Sequence, residues 1–221
     1  MPETILITGA GRGIGLELAR CWQLRGDHVI GACRKASAAL IKLGVEVIEG
    51  IDVADNDAAA LIKRALGNRR LDVLFNNAGI LAREPLDKLD WDSIRKQFEV
   101  NALGPLRVTA GLLDHLQSGS KVALMTSRMG SISDNSSGGY YGYRISKAAL
   151  NAAGKSLAED LRSRGVAVAL LHPGYVQTDM TGQGGDVTPA QAAAGLVQRV
   201  DELNLQNSGG FWHANGQRLP W

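Results

Sequence analysis

Three tyrosines lie within four consecutive positions of this chain, and one of them has a lysine at a spacing suited to acid–base chemistry. Residues 139–147 read GYYGYRISK. Lys147 follows Tyr143 by four residues, so both side chains are expected on the same face of a helix. The ammonium charge favours the phenolate and should lower the tyrosine pKa from its ordinary value of about 10. The pair therefore predicts a proton donor and acceptor that works near neutral pH.

Tyr140 and Tyr141 lack an equivalent partner. The residue four positions after Tyr141 is Ile145, which carries no charge, and the residue four positions after Tyr140 is Arg144. An aromatic ring with a polar tip suits a pocket wall or an interface, and we expect that use for both tyrosines. The alternative for Lys147 is an ordinary surface lysine, which the spacing alone leaves open.

A glycine-rich turn near the N-terminus predicts a phosphate site. Residues 8–15 read TGAGRGIG, directly after an apolar run and before a helical pattern. Glycines permit a tight turn and close backbone approach, and a helix N-terminus attracts the pyrophosphate of a dinucleotide. An ordinary strand–helix connection is the alternative. The cofactor contacts predicted here are Gly9, Arg12, Gly13, Ile14 and Gly15.

The residues after the second predicted strand favour NADPH over NADH. A fold that binds NADH is expected to carry an acidic residue about 20 residues after the glycine turn. Here residues 31–35 read GACRK, so Arg34 stands where the carboxylate would be. Arg34 and Arg12 can form charge-assisted bonds to a 2′-phosphate, although both could be ordinary surface arginines. We therefore predict NADPH or NADP⁺ as the cofactor, with NAD as the alternative.

Alternating strand and helix patterns predict one α/β domain over residues 1–221. Apolar runs predict strands at 4–8, 28–33, 45–50, 71–79, 121–127, 166–174 and 209–213. Helical patterns cover 13–26, 55–67, 89–116, 140–165 and 188–203, the third with a bend near Gly104 and Pro105. Apolar runs without alternation are typical of strands buried on both faces. We predict a doubly wound, Rossmann-type parallel sheet of about seven strands with helices on both faces.

Composition and charge argue against several other classes of protein. The 221 residues carry a formal net charge of +2 without a basic block, which disfavours nucleic acid and anionic membranes as partners. Cys21 and Cys33 lack metal-ligand spacing and the histidines are isolated, so we expect free thiols and no metal site. The chain shows neither a membrane-spanning run nor a signal peptide, and we expect a cytoplasmic protein.

Several motifs appear in a characteristic order along the chain. They are TGAGRGIG at 8–15, NNAG at 76–79, Asn101 in VNALG, Ser127, YRISK at 143–147 and PGYVQTDM at 173–180. Together they resemble the classical short-chain dehydrogenases/reductases over essentially the whole chain. The short loop after residue 180, the interval from Ser127 to Tyr143 and the ending GGFWHANGQRLPW are similar to the subgroup of the C-factor signalling protein and the sniffer-type carbonyl reductases.

The resemblance implies a catalytic tetrad of Asn101, Ser127, Tyr143 and Lys147. In hydride transfer, Tyr143 would supply the proton, Ser127 would hold the substrate oxygen, and Asn101 would fix a water that connects Lys147 to solvent. Taken alone, Ser127 could be a strand-end cap and Asn101 a residue that bends a helix. Ser131 and Ser133 are the alternatives to Ser127. The further cofactor contacts that the resemblance implies are Asp52, Val53, Asn76, Ala78, Gly79, Tyr143, Lys147, Pro173, Val176 and Thr178.

These expectations define an NADPH-dependent oxidoreductase that acts on a small carbonyl or alcohol substrate. The segment at 175–188 is short and glycine-rich, which predicts an open pocket lined by Met129, Tyr141, Tyr175 and Met180. The resemblance also implies a homodimer or homotetramer, built on the helices near 90–116 and 140–165. The alternative function is a dinucleotide-binding signalling or regulatory protein of the C-factor type with little or no catalytic role.

Overall fold

A parallel sheet of seven strands forms the centre of the computed structural model, which describes residues 2–221. The strands are β1 (Thr4–Thr8), β2 (His28–Ala32), β3 (Glu46–Ile48), β4 (Leu71–Asn76), β5 (Leu116–Met125), β6 (Ala167–His172) and β7 (Gly210–His213). Their order across the sheet is β3-β2-β1-β4-β5-β6-β7. The strand interiors are almost entirely apolar and buried, because helices cover both faces.

Within residues 2–221, seven α-helices flank this sheet. They are α1 (Gly13–Arg25), α2 (Ala38–Lys42), α3 (Ala58–Leu66), α4 (Trp91–Phe98), α5 (Gly104–Gly111), α6 (Tyr141–Arg162) and α7 (Pro189–Asp201). Apolar side chains of α1 and α7, such as Trp22 and Leu196, pack on one face of the sheet. Those of α3, α5 and α6, such as Ile62 and Leu157, pack on the other face. The predicted fold class, a doubly wound parallel sheet, is confirmed.

The sheet changes its direction of winding between β1 and β4. The chain builds outward from β1 to β3 and then returns to place β4 on the other side of β1. In doubly wound folds, ligands bind in the crevice beyond the carboxyl ends of the strands at such a point. The glycine turn leaves β1 at this edge, NNAG leaves β4, and Ser127 follows β5.

The segment predicted as one helix at 89–116 is divided into several elements. Helix α4 ends at Phe98, a π-helical turn spans Glu99–Leu103, and α5 begins at Gly104. The irregularity therefore precedes the predicted bend, and Pro105 lies at the start of α5, where its missing N–H costs nothing. Strand β5 begins at Leu116 rather than at 121.

Other boundaries differ by a few residues. Strands β4 and β6 end at Asn76 and His172, before the predicted ends at 79 and 174, because the chain turns away from the sheet there. The short helix α2 was not predicted, and its N-cap is Ser37, whose hydroxyl accepts a hydrogen bond from the Leu40 N–H at 3.1 Å. No helix among residues 2–221 combines the length and apolar character needed to cross a membrane.

Candidate active site

Tyr143 and Ser127 meet beyond the carboxyl end of β5. Ser127 follows this strand in an extended conformation, and its hydroxyl caps the short 3₁₀ turn that comes next. Tyr143 lies in the first turn of α6, and both side chains are buried. Burial raises the pKa of Tyr143, and the nearby Ser127 hydroxyl acts against that rise. Ser131 and Ser133, the alternatives, donate instead to the main-chain oxygen of Trp221.

Lys147 is buried one helical turn after Tyr143. Its ammonium nitrogen donates to the Met125 carbonyl oxygen at 2.7 Å and lies 5.7 Å from the centroid of the Tyr143 ring. A β-carbon built on Gly79 would lie 3.7 Å from this nitrogen and 3.3 Å from Oδ1 of Asn101. The NNAG turn, Asn101 and Lys147 are therefore brought together at one point of the crevice.

Asn101 lies fully buried in the π-helical turn between α4 and α5. Its Oδ1 accepts from the Ile80 N–H at 2.8 Å, and its Nδ2 donates to the Ile80 carbonyl oxygen at 2.8 Å and to the Ser146 hydroxyl at 3.0 Å. The Ser146 hydroxyl in turn donates to the Tyr143 carbonyl oxygen at 2.8 Å. Both amide hydrogens of Asn101 are used, so its side chain ties the loop after NNAG to α6. A water contact would have to use its main chain or the second lone pair of Oδ1.

Burial gives Tyr143 and Lys147 acid–base properties that the sequence did not predict. Desolvation raises the pKa of Tyr143 to about 12, against the lowering effect of Ser127. Desolvation also lowers the pKa of Lys147 to about 7. The expectation of a lowered tyrosine pKa is therefore wrong for this environment, because burial disfavours the charged form of each group.

The turn after β1 forms a cradle at the N-terminus of α1. Gly9 and Gly13 have φ angles of 68° and 56°, which favour glycine, and Ile14 follows half-buried. A β-carbon on Gly15 would lie 2.3 Å from the Gly9 carbonyl oxygen, so only glycine lets the helix start so close to the turn. Within residues 2–221 no side chain caps α1. Its first N–H groups thus suit a phosphate-bearing ligand, and the cradle fits a pyrophosphate.

Thr8 and Asn77, which were not selected from the sequence, hold this cradle in place. The Thr8 hydroxyl accepts from the N–H groups of Asn77 and Ala78, each at 3.1 Å. The Asn77 amide donates to the carbonyl oxygens of Thr8 and Gly9, each at 3.1 Å. These four hydrogen bonds join the glycine turn to the NNAG turn. The only signal for Asn77 in the sequence was its place within NNAG.

The Asn76 side chain points away from the crevice, and Asp52 and Val53 follow the end of β3. The cofactor contacts expected of these three residues remain predictions. The Asn76 side chain is buried and its Nδ2 donates to the Thr109 hydroxyl in α5 at 3.1 Å. It therefore points into the interior and not into the crevice. Asp52 is half-buried and Val53 is buried directly after it.

Arg12 and Arg34 lie where β1 and β2 end. A β-carbon on Gly11 would lie 3.5 Å from the Lys35 carbonyl oxygen, which places the glycine turn beside the end of β2. Arg34 is exposed, and its guanidinium makes no hydrogen bond or ion pair within residues 2–221. Arg12 pairs with Asp179 at 3.0 Å, but the two side chains are 75% and 62% exposed, so solvent screens this pair. Both cations remain available to an anion.

The segment after β6 crosses in front of the glycine turn. Pro173 is half-buried at its start, and Val176 is buried and forms a β-bridge with Val187. Thr178 begins a short 3₁₀ turn, and its Cγ2 would lie 3.7 Å from a β-carbon on Gly13. This contact places the segment and the phosphate cradle on the same crevice.

The candidate substrate residues come from three segments at this edge of the sheet. Met129 lies half-buried in the turn after Ser127, and Tyr141 is the half-buried first residue of α6. Tyr175 and Met180 are exposed on the segment after β6. Their apolar surfaces could contact a substrate at the outer side of the crevice.

The sheet topology, the glycine cradle and the Tyr143–Lys147 pair define a class of protein. The family model described as short chain dehydrogenase matches residues 3–188, and the chain belongs to this family. The predicted family membership is confirmed.

Two curated relatives are similar over most of the chain. The 1-hydroxy-2-glutathionyl-2-methyl-3-butene dehydrogenase of Rhodococcus sp. (strain AD45) is 42% identical over 225 residues, which cover 99% of this chain and 100% of the relative. C-signal of Myxococcus xanthus is 45% identical over 154 residues, which cover 68% of this chain and 93% of the relative.

Two solved structures share the fold over the full length of both chains. Carbonyl reductase Sniffer of D. melanogaster has a TM-score of 0.92 at 32% identity and covers 100% of each chain. A carbonyl reductase from Pseudomonas aeruginosa PAO1 in complex with NADP has a TM-score of 0.87 at 33% identity and also covers 100% of each chain.

Proposed function

We propose that this chain is an NADPH-dependent oxidoreductase that transfers a hydride between the nicotinamide and a small carbonyl or alcohol substrate, with Tyr143 as the acid–base group. The observation that carries the proposal is the buried meeting of Tyr143, Ser127 and Lys147 on the same crevice as the glycine cradle. The NADP complex of the Pseudomonas carbonyl reductase supports the cofactor, and the unpartnered position of Arg34 supports recognition of a 2′-phosphate.

The side chains of this site divide the proton chemistry between them. When bound, the nicotinamide supplies or accepts the hydride. In reduction, the Ser127 hydroxyl donates a hydrogen bond to the substrate oxygen and the Tyr143 phenol gives its proton to that oxygen. The protonated Lys147 stabilises the phenolate that remains. Burial keeps Tyr143 protonated at neutral pH, which is the form that can donate a proton to a carbonyl oxygen.

The experiment that tests this function is a substrate panel in both directions. NADPH oxidation is followed with aldehydes, α-diketones, quinones and steroids. NADP⁺ reduction is followed with alcohols, including a hydroxy compound that bears a glutathionyl group, because the Rhodococcus relative is named for such a compound. We expect turnover of at least one carbonyl with NADPH, and a loss of at least about 100-fold in turnover of that compound by Tyr143→Phe.

The similarity to C-signal over 68% of the chain favours one other candidate, a dinucleotide-binding signalling protein. A regulator without catalysis could lose the tyrosine or the lysine, whereas this chain retains Asn101, Ser127, Tyr143 and Lys147. That retention supports the enzyme. Tight NADPH binding without turnover of any compound in the panel would select the signalling role instead.

A further inference from the structure

Glu84 places a buried carboxyl group at the N-terminus of the helix that carries Tyr143. It lies in the loop between β4 and α4 and is only 2% exposed. Its oxygens accept hydrogen bonds from the Ser93 hydroxyl at 2.8 Å, the Gln97 amide at 2.5 Å and the Gly142 N–H at 3.4 Å. All three donors are neutral, and residues 2–221 provide no ion pair to this carboxyl group. A buried acidic group without a cation is costly, so its retention calls for a physical reason.

The position of Glu84 supplies that reason. Gly142 is the second residue of α6, and a negative group is favoured at a helix N-terminus. A β-carbon on Gly142 would lie 2.5 Å from Nε2 of Gln97 and 3.2 Å from Oε1 of Glu84. The first turn of α6 is therefore pressed against the Glu84 network, one residue before Tyr143.

The neighbouring residue, Arg83, makes a second contact with the start of α6. Its guanidinium carbon lies 5.7 Å from the centroid of the Tyr140 ring, a cation–π geometry. Tyr140 has a φ of 52° and a ψ of 42°, a left-handed conformation that surrounding contacts must maintain. Arg83 and Glu84 thus hold the residues on either side of Tyr141.

The loop that carries Glu84 is itself fixed at its other end. The Ala82 N–H donates to Oε1 of Gln97 at 3.0 Å, and Ile80 is bonded through both main-chain groups to Asn101. The loop therefore connects Asn101 to the start of α6. A displacement of Glu84 would be transmitted to the helix turn that bears Tyr143.

We propose that Glu84 is a positioning residue, which sets the place of the Tyr143 hydroxyl relative to Ser127 and Lys147 by fixing the first turn of α6. This inference rests on the proposed function, since its effect on rate requires Tyr143 to transfer a proton. Displacement of a reacting group by about 1 Å can lower a rate by about 100-fold.

Glu84→Gln tests the proposal with little change in volume. The glutamine amide replaces one acceptor oxygen with an NH₂ group. This donor then faces the groups that donate hydrogen bonds to Glu84 in the wild-type protein. We expect kcat for carbonyl reduction to fall by about 10- to 100-fold while the Kd for NADPH stays within about twofold. The matched control is Glu46→Gln in β3, which disturbs a partly buried carboxyl group bonded to Arg69, far from the crevice. It should reduce stability and leave kcat within about twofold.

A spectroscopic readout separates this proposal from the proposed function. In protein labelled with ¹³C at tyrosine Cζ, the Tyr143 resonance is assigned by its loss in Tyr143→Phe. We expect that resonance to move in Glu84→Gln and to stay in place in Glu46→Gln. The measurement needs no turnover, so an inactive wild-type protein would refute the proposed function and leave this test intact.

Either of two results would overturn the positioning role. One is a Tyr143 resonance that Glu84→Gln leaves unchanged, and the other is a wild-type kcat in that variant. If Glu84→Gln does not fold, Ser93→Ala removes one donor to the same carboxyl group without adding a new one. In Ser93→Ala we expect the Tyr143 resonance to move and kcat to fall by less than in Glu84→Gln. An unchanged resonance or an unchanged kcat refutes the proposal.

Discussion

Tyr143 and Lys147 are buried together, and burial favours the neutral form of each. The phenol, with its pKa raised to about 12, is available as a proton donor across the neutral range. The lysine, with its pKa lowered to about 7, carries the charge that stabilises the phenolate only at lower pH. Reduction should therefore be fastest where both side chains are protonated.

The rate of carbonyl reduction should fall as pH rises through about 7. The pKa of Lys147 is lowered in the folded protein, so the ammonium is present below that pH and is lost above it. Lys147→Met should lower kcat by about 100-fold and remove this pH dependence. The check is kcat/KM between about pH 6 and about pH 9 at constant ionic strength, because kcat/KM reports the protonation of the protein before substrate binds. Lys155→Met, an exposed change on the same helix, should keep the wild-type profile, and a flat wild-type profile would contradict the role of Lys147.

Arg34 offers the sharpest test of cofactor choice at the level of one residue. Arg34→Asp removes a cation from the predicted 2′-phosphate site and supplies a carboxylate for a ribose hydroxyl. The ratio of kcat/KM for NADPH to that for NADH should fall by about 10- to 100-fold, the value of a hydrogen bond to a charged group. Lys42→Asp on α2 is the control for the change in net charge. A ratio that stays at the wild-type value would refute the assignment.

At the scale of elements, the site depends on how closely the glycine turn and α1 approach each other. Gly15→Ala would place a β-carbon 2.3 Å from the Gly9 carbonyl oxygen, which the backbone cannot accommodate without moving. We expect NADPH affinity to fall by at least about 10-fold, because the N–H groups of the cradle lose their alignment. Calorimetric titration with NADPH measures the Kd of each variant.

Gly11→Ala is the matched change within the same turn. Its β-carbon would lie 3.5 Å from the Lys35 carbonyl oxygen, an ordinary contact, so the turn should keep its shape. Affinity in this variant should stay closer to the wild-type value than in Gly15→Ala. Equal losses of NADPH affinity in the two variants would show that the close approach of α1 to the turn at Gly15 does not determine NADPH binding.

The order of strands and helices could be predicted because each element carries its own local signal. Buried parallel strands show as apolar runs, and the cap residues Thr188 and Pro189 mark the start of α7. The π-helical turn could not be predicted, because it depends on the hydrogen bonds of Asn101 to Ile80 and Ser146, which are distant in sequence.

The residues of the candidate site could likewise be predicted where a local motif marks them. The features of the site that depend on packing between distant segments could not be predicted. Tyr143, Lys147, Ser127 and the glycines belong to motifs that can be read along the chain. The burial that raises one pKa and lowers the other comes from packing between segments, as does the inward orientation of Asn76.

At the scale of the whole molecule, α4 and α6 present apolar side chains that the chain itself does not cover. The two helices pack against each other. Trp91 of α4 is 62% exposed and Ile145 of α6 is 50% exposed. These are the helices on which the family resemblance places a two-fold interface, and the homodimer or homotetramer remains a prediction.

Light scattering tests the oligomeric state directly. We expect a mass of at least two chains at working concentration, and Trp91→Lys should shift the equilibrium toward the monomer by removing apolar area and adding charge. Leu24→Lys is the control, because Leu24 is 76% exposed on α1. A monomeric wild-type protein would contradict the prediction.

The central claim is that Tyr143, and no other tyrosine of the cluster, transfers the proton. The most direct measurement compares Tyr143→Phe with Tyr140→Phe for NADPH oxidation with the best carbonyl of the panel and for NADPH binding. Tyr143→Phe should lose turnover by about 10²- to 10⁴-fold and keep the Kd for NADPH within about twofold, because only the acid is removed. Tyr140→Phe should keep most of the wild-type rate. Turnover retained by Tyr143→Phe, or an equal loss in Tyr140→Phe, would contradict the account.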